Sequence, residues 1–249
     1  MEKSKQVSID VRRLVFPLVG GKEVATGFWR TGLLGTGFFV STRGLAMTAA
    51  HVVTNLEDGI EVRAALPSPT RPMNAHKLLW NVVLPGSDIA VIRLAIPTSA
   101  CFVTRFATID MGQDVETNAI PQSMLVTDQE GKTGIRLRVM KGYVSYGDKN
   151  SIAASSALPK GMSGAPLIVT ETDVQYVAGV FVGQSRGEEI EDEITDVSDD
   201  GVRTHSERVS RVEYFARGEL LARFADFAAP EFGGATLKQL IKLEIAGSP

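Results

Sequence analysis

Cysteine is almost absent from this chain of 249 residues, with Cys101 the only one. No intramolecular disulfide can form, which suits a reducing compartment better than an oxidising one, so a cytoplasmic location is expected. Histidine is scarce as well, limited to His51, His76 and His205. One cysteine and three scattered histidines do not make a metal-site spacing, so neither a metal nor any other cofactor is expected. His76 and His205 read as surface residues, and Cys101 as a small buried hydrophobe. Long apolar runs are also lacking. Leu14 to Val19 is broken by Pro17 and follows Asp10, Arg12 and Arg13, too short and too charged for a signal peptide or a membrane span. Nor does one sign of charge dominate, since 26 basic and 29 acidic side chains leave a net charge of -3. That balance argues against nucleic acid or a membrane surface as a general partner. Any partner must therefore meet a local site.

What the chain does hold is a series of short runs rich in Val, Ile, Phe and Thr, set between turn signals. They are Val11 to Val19, Gly37 to Val40, Ile60 to Ala65, Lys77 to Leu84, Ile89 to Leu94 and Arg136 to Tyr146, followed by Pro166 to Val169, Gln175 to Gly183 and Glu207 to Phe215. Each has strand length, and no long amphipathic helical pattern lies between them. They predict an all-β protein of two similar halves, joined through Pro97 to Gln113. With 44% apolar residues the chain can bury a sizeable core. Residues 188–200 carry Glu188, Glu189, Glu191, Asp192, Glu193, Asp196, Asp199 and Asp200. Their mutual repulsion predicts a mobile, solvated loop between two strands. Near the end, Leu220, Leu221, Phe224 and Phe227 recur at helical spacing within Gly218 to Phe227, and Thr236 to Leu243 does so less clearly. Both predict terminal helices.

Three motifs bear on chemistry. Gly35-Thr36-Gly37-Phe38-Phe39-Val40 is followed by Met47-Thr48-Ala49-Ala50-His51. Alone, His51 would be taken for a core or capping histidine, but the small Ala49 and Ala50 leave its imidazole room at a cleft. Asp88 stands directly before the apolar strand Ile89 to Leu94, where an aspartate is as well explained by a turn or cap. Pro159-Lys160-Gly161-Met162-Ser163-Gly164-Ala165-Pro166 is a Gly-x-Ser-Gly-x-Pro turn just before a strand. Each has a bland explanation, yet they occur in the order His, Asp, Ser, each beside a predicted strand.

In that order and context the motifs resemble those of the trypsin-like, chymotrypsin-fold serine peptidases, over most of residues 11 to 216. The resemblance implies two six-stranded antiparallel β-barrels with the active site between them. One peptidase domain would span residues 1–249, with barrel one at about 10–100, barrel two at about 115–216 and a helical tail at 217–249. It also implies a serine endopeptidase in which Ser163 is the nucleophile, His51 the general base and Asp88 the acid that orients it. The backbone N–H groups of Gly161 and Ser163 would form the oxyanion hole. Met162 stands where zymogen-activated members carry the aspartate that pairs with a newly cut amino terminus. Leu18-Val19-Gly20-Gly21 resembles such a cut terminus but has no acidic partner. No activating cleavage is therefore expected, which places the chain nearest to the bacterial, viral and HtrA-like branches, as a stand-alone peptidase domain. By the same resemblance Ala157, Lys160, Phe181, Val182 and Gly183 contribute to substrate binding. With no acid at Ala157, a small or apolar residue is expected before the scissile bond. A protein or peptide is the implied substrate, and the acidic segment 188–200 is a place for a regulatory partner. A catalytically silent peptide-binding module is the alternative. An esterase of the α/β-hydrolase kind would show Gly-x-Ser-x-Gly, and here Ala165 replaces the second glycine.

Overall fold

The computed structural model describes residues 13–24, 27–66, 74–122, 125–127, 133–135, 137–197 and 203–246. Its first barrel is formed by β1 (Val15–Val24), β2 (Gly27–Phe39), β3 (Leu45–Ala49), β4 (Glu61–Leu66), β5 (Asn74–Val83) and β6 (Ile89–Leu94). These close in the order β1-β2-β3-β6-β5-β4. The second barrel takes β7 (Asp114–Ala119), then, beyond a small hairpin of β8 (Leu125–Thr127) and β9 (Thr133–Ile135), β10 (Arg138–Gly147) and β11 (Ser151–Ala154). It is completed by β12 (Ala165–Glu171), β13 (Val174–Val197) and β14 (Arg203–Leu220). Its closed order, β10-β11-β14-β13-β12-β7, is the same cyclic path as in the first barrel once the β8–β9 hairpin is set aside. Among the described residues every strand pairing within the two barrels is antiparallel.

Alternation decides which residues fill each barrel. In β14, Ala216 and Leu220 are buried while Arg217 between them is exposed, the two-residue period of a strand with one face inward. β3 and most of β6 are buried on both faces, because one face fills the first barrel and the other lies under neighbouring segments. Val177, Val180 and Val182 of β13 and Ile168 of β12 join the apolar cluster of the first barrel. The two barrels are thus packed as one body, with a shared apolar seam.

Several sequence expectations are corrected here. The segment beginning at Glu188 is not a loop, because β13 continues to Val197 and pairs with β14 out to Val197↔Arg203. The register sets Glu189 opposite Arg211, Glu193 opposite Arg208 and Asp196 opposite His205 along the ladder. Residues 198–202 lie outside the described residues. The helix expected over Gly218 to Phe227 is instead the end of β14, up to Leu220, followed by a short 3-10 turn over Leu221–Phe224. Barrel closure overrides the helical spacing, since Gly218 pairs with both Ile152 and Phe181.

The chain ends its described course in α2 (Leu237–Ala246). Leu237, Leu240 and Ile241 pack on the first barrel, and the buried Glu244 fastens the helix there. Its carboxylate accepts from Ser41 Oγ at 2.7 Å and pairs with the Arg93 guanidinium, one contact of which is 2.9 Å. Cys101 is half-buried rather than fully buried, and burial raises its thiol pKa. His76 is half-buried on β5, and burial lowers its pKa. The side chain of His205 is outside the described residues.

Candidate active site

β3 runs straight into α1 (Ala50–Thr54), a single helical turn that starts without a side-chain cap of its own. The orphan N–H groups at a helix start need acceptors, and Asp88 supplies them from the head of β6. The Asp88 carbonyl accepts from Ala50 N–H and its Oδ1 from His51 N–H, each at 2.8 Å. With α1 tied in this way, His51 Nδ1 meets Asp88 Oδ2 at 2.7 Å. A carboxylate facing Nδ1 assigns the imidazole proton to that nitrogen and leaves Nε2 as the free base. The imidazole is 36% exposed and the carboxylate 23%, so the base is accessible while its partner is shielded.

Burial by itself would raise the Asp88 carboxyl pKa. The hydrogen bonds from the His51 side chain and backbone, with the charges of His51 and Arg217, outweigh it and hold the group below its ordinary value.

The turn that carries Ser163 is held against β2 and the end of β3 by contacts between the barrels. Its carbonyl accepts from Thr36 N–H at 2.8 Å. The next residue, Gly164, has φ +91, and a Cβ there would come within 2.1 Å of Thr36 O, 2.2 Å of Thr48 Oγ1 and 2.9 Å of Ala49 N. The Ser163 turn is therefore pressed against the strand that leads into His51, and only glycine fits. Gly164→Ala is expected to lower the unfolding free energy by about 2–6 kcal/mol, from backbone strain and overpacking together. A denaturant midpoint equal to that of the parent chain would contradict this packing.

The loop before Ser163 is held open on two sides. The Lys160 carbonyl accepts from Gln122 N–H at 2.9 Å, which turns the opposite end of that planar peptide, Gly161 N–H, away from Gln122. Gly161 has φ +93, and its carbonyl accepts from Thr36 Oγ1 at 2.9 Å. The N–H groups of Met162 and Gly164 are taken by the carbonyls of Pro159 and Phe181. Those of Gly161 and Ser163 have no acceptor among the described residues, which suits donors reserved for a ligand oxygen. Among the described residues, no three His, Cys, Asp or Glu side chains gather as metal ligands would.

A family model described as a trypsin-like peptidase domain matches residues 35–178, more than half of the chain, and spans His51, Asp88 and Ser163. The chain belongs to the trypsin-like peptidase domain family. It is by that membership a serine endopeptidase, a hydrolase. Among solved structures it is similar to mouse neuropsin, a serine protease expressed in the limbic system of the brain. That likeness has a TM-score of 0.54 at 13% identity and covers 86% of this chain and 91% of the other. It shows a shared chymotrypsin-like fold. No curated protein matches the chain.

Within this trypsin-like domain the expected substrate-binding residues divide. Ala157 and Lys160 are exposed and Gly183 is half-buried. Phe181 is 2% exposed and packs within the core of the second barrel, so its side chain is not a cleft wall. Its carbonyl, accepting from Gly164 N–H at 2.7 Å, is what reaches the site. Val182, also 2% exposed, lies in the apolar seam toward the first barrel. Exposed Gln184 ties the two walls together, its Oε1 accepting from Leu158 N–H at 2.8 Å. Met162 is fully buried in the core of the second barrel, filling with apolar volume the position where an acid would need a partner. Leu18 to Gly21 lie inside β1, paired with β2 on one side and β4 on the other.

Three contributors had no legible signal in the sequence. Thr36 lies in the quoted Gly-Thr-Gly-Phe run, but its hydroxyl's target is 125 positions away. Gln122 acts through its backbone, which carries no residue signature. The third is Glu219, whose Oε2 accepts from Asp88 N–H at 3.0 Å.

Proposed function

We propose that this domain hydrolyses peptide bonds through an acyl-enzyme intermediate, with Ser163 as nucleophile, His51 as general base and Asp88 as its orienting acid. The observation that carries the proposal is the His51 Nδ1 to Asp88 Oδ2 contact of 2.7 Å, with the Gly161 to Ser163 loop fastened beside it through Thr36. His51 Nε2 takes the Ser163 hydroxyl proton as Oγ attacks the scissile carbonyl carbon. The carbonyl oxygen gains the electron pair and sits against the Gly161 and Ser163 N–H groups. One such donor is typically worth about 3 kcal/mol in the transition state. The imidazolium then gives its proton to the amine nitrogen, the C–N bond breaks, and the acyl group remains as an ester on Ser163. Water enters and gives a proton to His51 as its oxygen attacks the ester carbon. The carboxylic acid leaves as the proton returns to Ser163 Oγ.

No acid stands at Ala157, and the edge from Val182 to Gln184 offers backbone groups to an extended chain. Together they support a protein or peptide substrate with a small or apolar residue before the cut. The purified chain, incubated with a diverse peptide library and its new termini sequenced, is expected to cut after such residues. A profile dominated by Arg or Lys would overturn the specificity. Retention of peptides without new termini would favour the silent binding module.

A further inference from the structure

We infer that Glu219 is a positioning residue for the acid of the triad, reaching from the second barrel to hold Asp88 of the first. The inference rests on the triad proposed above. Asp88 offers four polar groups. Its carbonyl and both carboxylate oxygens are engaged by α1, and its N–H is engaged by Glu219 Oε2 at 3.0 Å. Three of the four thus follow α1, and only the Glu219 contact anchors Asp88 to a different barrel. Glu219 sits in β14 between Ser151 of β11 and Val180 of β13, a doubly paired backbone, and its side chain is only 14% exposed. It is a rigid post against which the end of the Pro85 to Ser87 turn can be fixed. The next 3-10 turn adds a weaker tie, Arg223 Nη2 donating to Pro85 O at 3.5 Å.

The charges give this contact a second effect. A carboxylate beside Asp88 would repel it, but Arg217 Nη2 lies 3.9 Å from Glu219 Oε1 and its charge also favours ionised Asp88. The groups facing Asp88 are then His51 from α1 and Arg217 and Glu219 from β14, with Arg223 at the turn below. Glu219 adds one anion to this group, which favours the imidazolium formed as Ser163 attacks. Glu219 therefore fixes where Asp88 sits and adds to the field that His51 experiences.

Glu219→Ala and Glu219→Gln in the full chain separate these effects. The alanine variant loses a hydrogen bond to a charged acceptor, and kcat is expected to fall roughly 10- to 100-fold with KM within about twofold. Glutamine keeps an acceptor oxygen, so kcat should stay within about threefold of the parent. Both variants lose the anion, so the acidic limb of the kcat/KM profile should move to lower pH in each. An alanine variant with parental kcat would overturn the inference. So would a loss that glutamine does not restore, accompanied by a raised KM and an equal fall in thermal midpoint, which marks a merely structural contact. A parent chain that cleaves nothing would instead overturn the catalytic proposal. The downfield proton resonance of His51 Nδ1–H would still decide the role of Glu219 in that case. It should persist in the parent and glutamine forms and be lost or moved upfield in the alanine form, and an unchanged signal in the alanine form overturns the inference.

Discussion

Ser163→Ala is expected to lower peptide turnover by a factor on the order of 10⁶ while leaving the fold and peptide binding intact. The two halves of that expectation come from different atoms. Turnover needs the side-chain oxygen, which the proposed chemistry uses as its nucleophile. The fold needs the backbone, because the structural contact of Ser163 is its carbonyl accepting from Thr36 N–H at 2.8 Å, which alanine preserves. Glycine at Gly164, whose φ of +91 sets the turn, is unaffected. The variant should keep the parent's circular dichroism and thermal midpoint and still hold substrate peptides. Residual turnover near the parental level would mean that Ser163 is not the nucleophile.

Asp88→Asn should cost turnover a factor on the order of 10⁴ near neutral pH, for a reason specific to this site. The carboxylate has two donors to satisfy, the backbone N–H of His51 at Oδ1 and the ring Nδ1–H at Oδ2. The backbone N–H cannot change its role, so an asparagine must turn its oxygen toward it. Its NH₂ group then faces the imidazole ring. Nδ1 becomes an acceptor, the ring proton moves to Nε2, and the base is lost without any change in position. Stopped assays with folded protein should therefore show a kcat loss with KM little changed. A variant retaining a tenth or more of parental kcat would contradict this hydrogen-bond assignment.

The same substitution has a pH signature. The Asp88 carboxyl is held below its ordinary value of 3.8 in the folded chain. A carboxyl depressed by folding contributes stability that is fully present above the unfolded value and is lost as pH falls through the folded one. The stability difference between parent and Asp88→Asn should accordingly be constant at neutral pH and shrink below about pH 3.8. Denaturant midpoints measured against pH would reveal it, and a difference that grows on acidification would contradict it.

The proposed triad residues could be picked out in the sequence because they flank strands, where short local runs announce them. His51 lies in α1 just after β3, Asp88 stands just before β6, and Ser163 precedes β12. The barrel pattern was legible for the apolar strands such as β6, whose burial leaves an apolar run. It was not legible for β7 or β11, whose Asp114–Ala119 and Ser151–Ala154 alternate weakly and are strands because closure gives them partners. The acidic arm misled for a related reason. Repulsion within residues 188–197 is a local property, whereas Arg211, Arg208 and His205 stand opposite only once the register of β13 on β14 is set. Thr36 and Glu219 are tertiary contributors of the same kind, each defined by what lies across the barrel junction, and Gln122 by a loop of its own barrel.

A fluorophosphonate probe tests the central claim most directly, because it reacts with a serine only when a base and an oxyanion site are assembled around it. Treated with the probe and digested, the native chain should carry the label on the peptide containing Ser163. Labelling should be lost in Ser163→Ala and strongly slowed in Asp88→Asn. A folded native chain that stays unlabelled, or one labelled at another residue, would contradict the account.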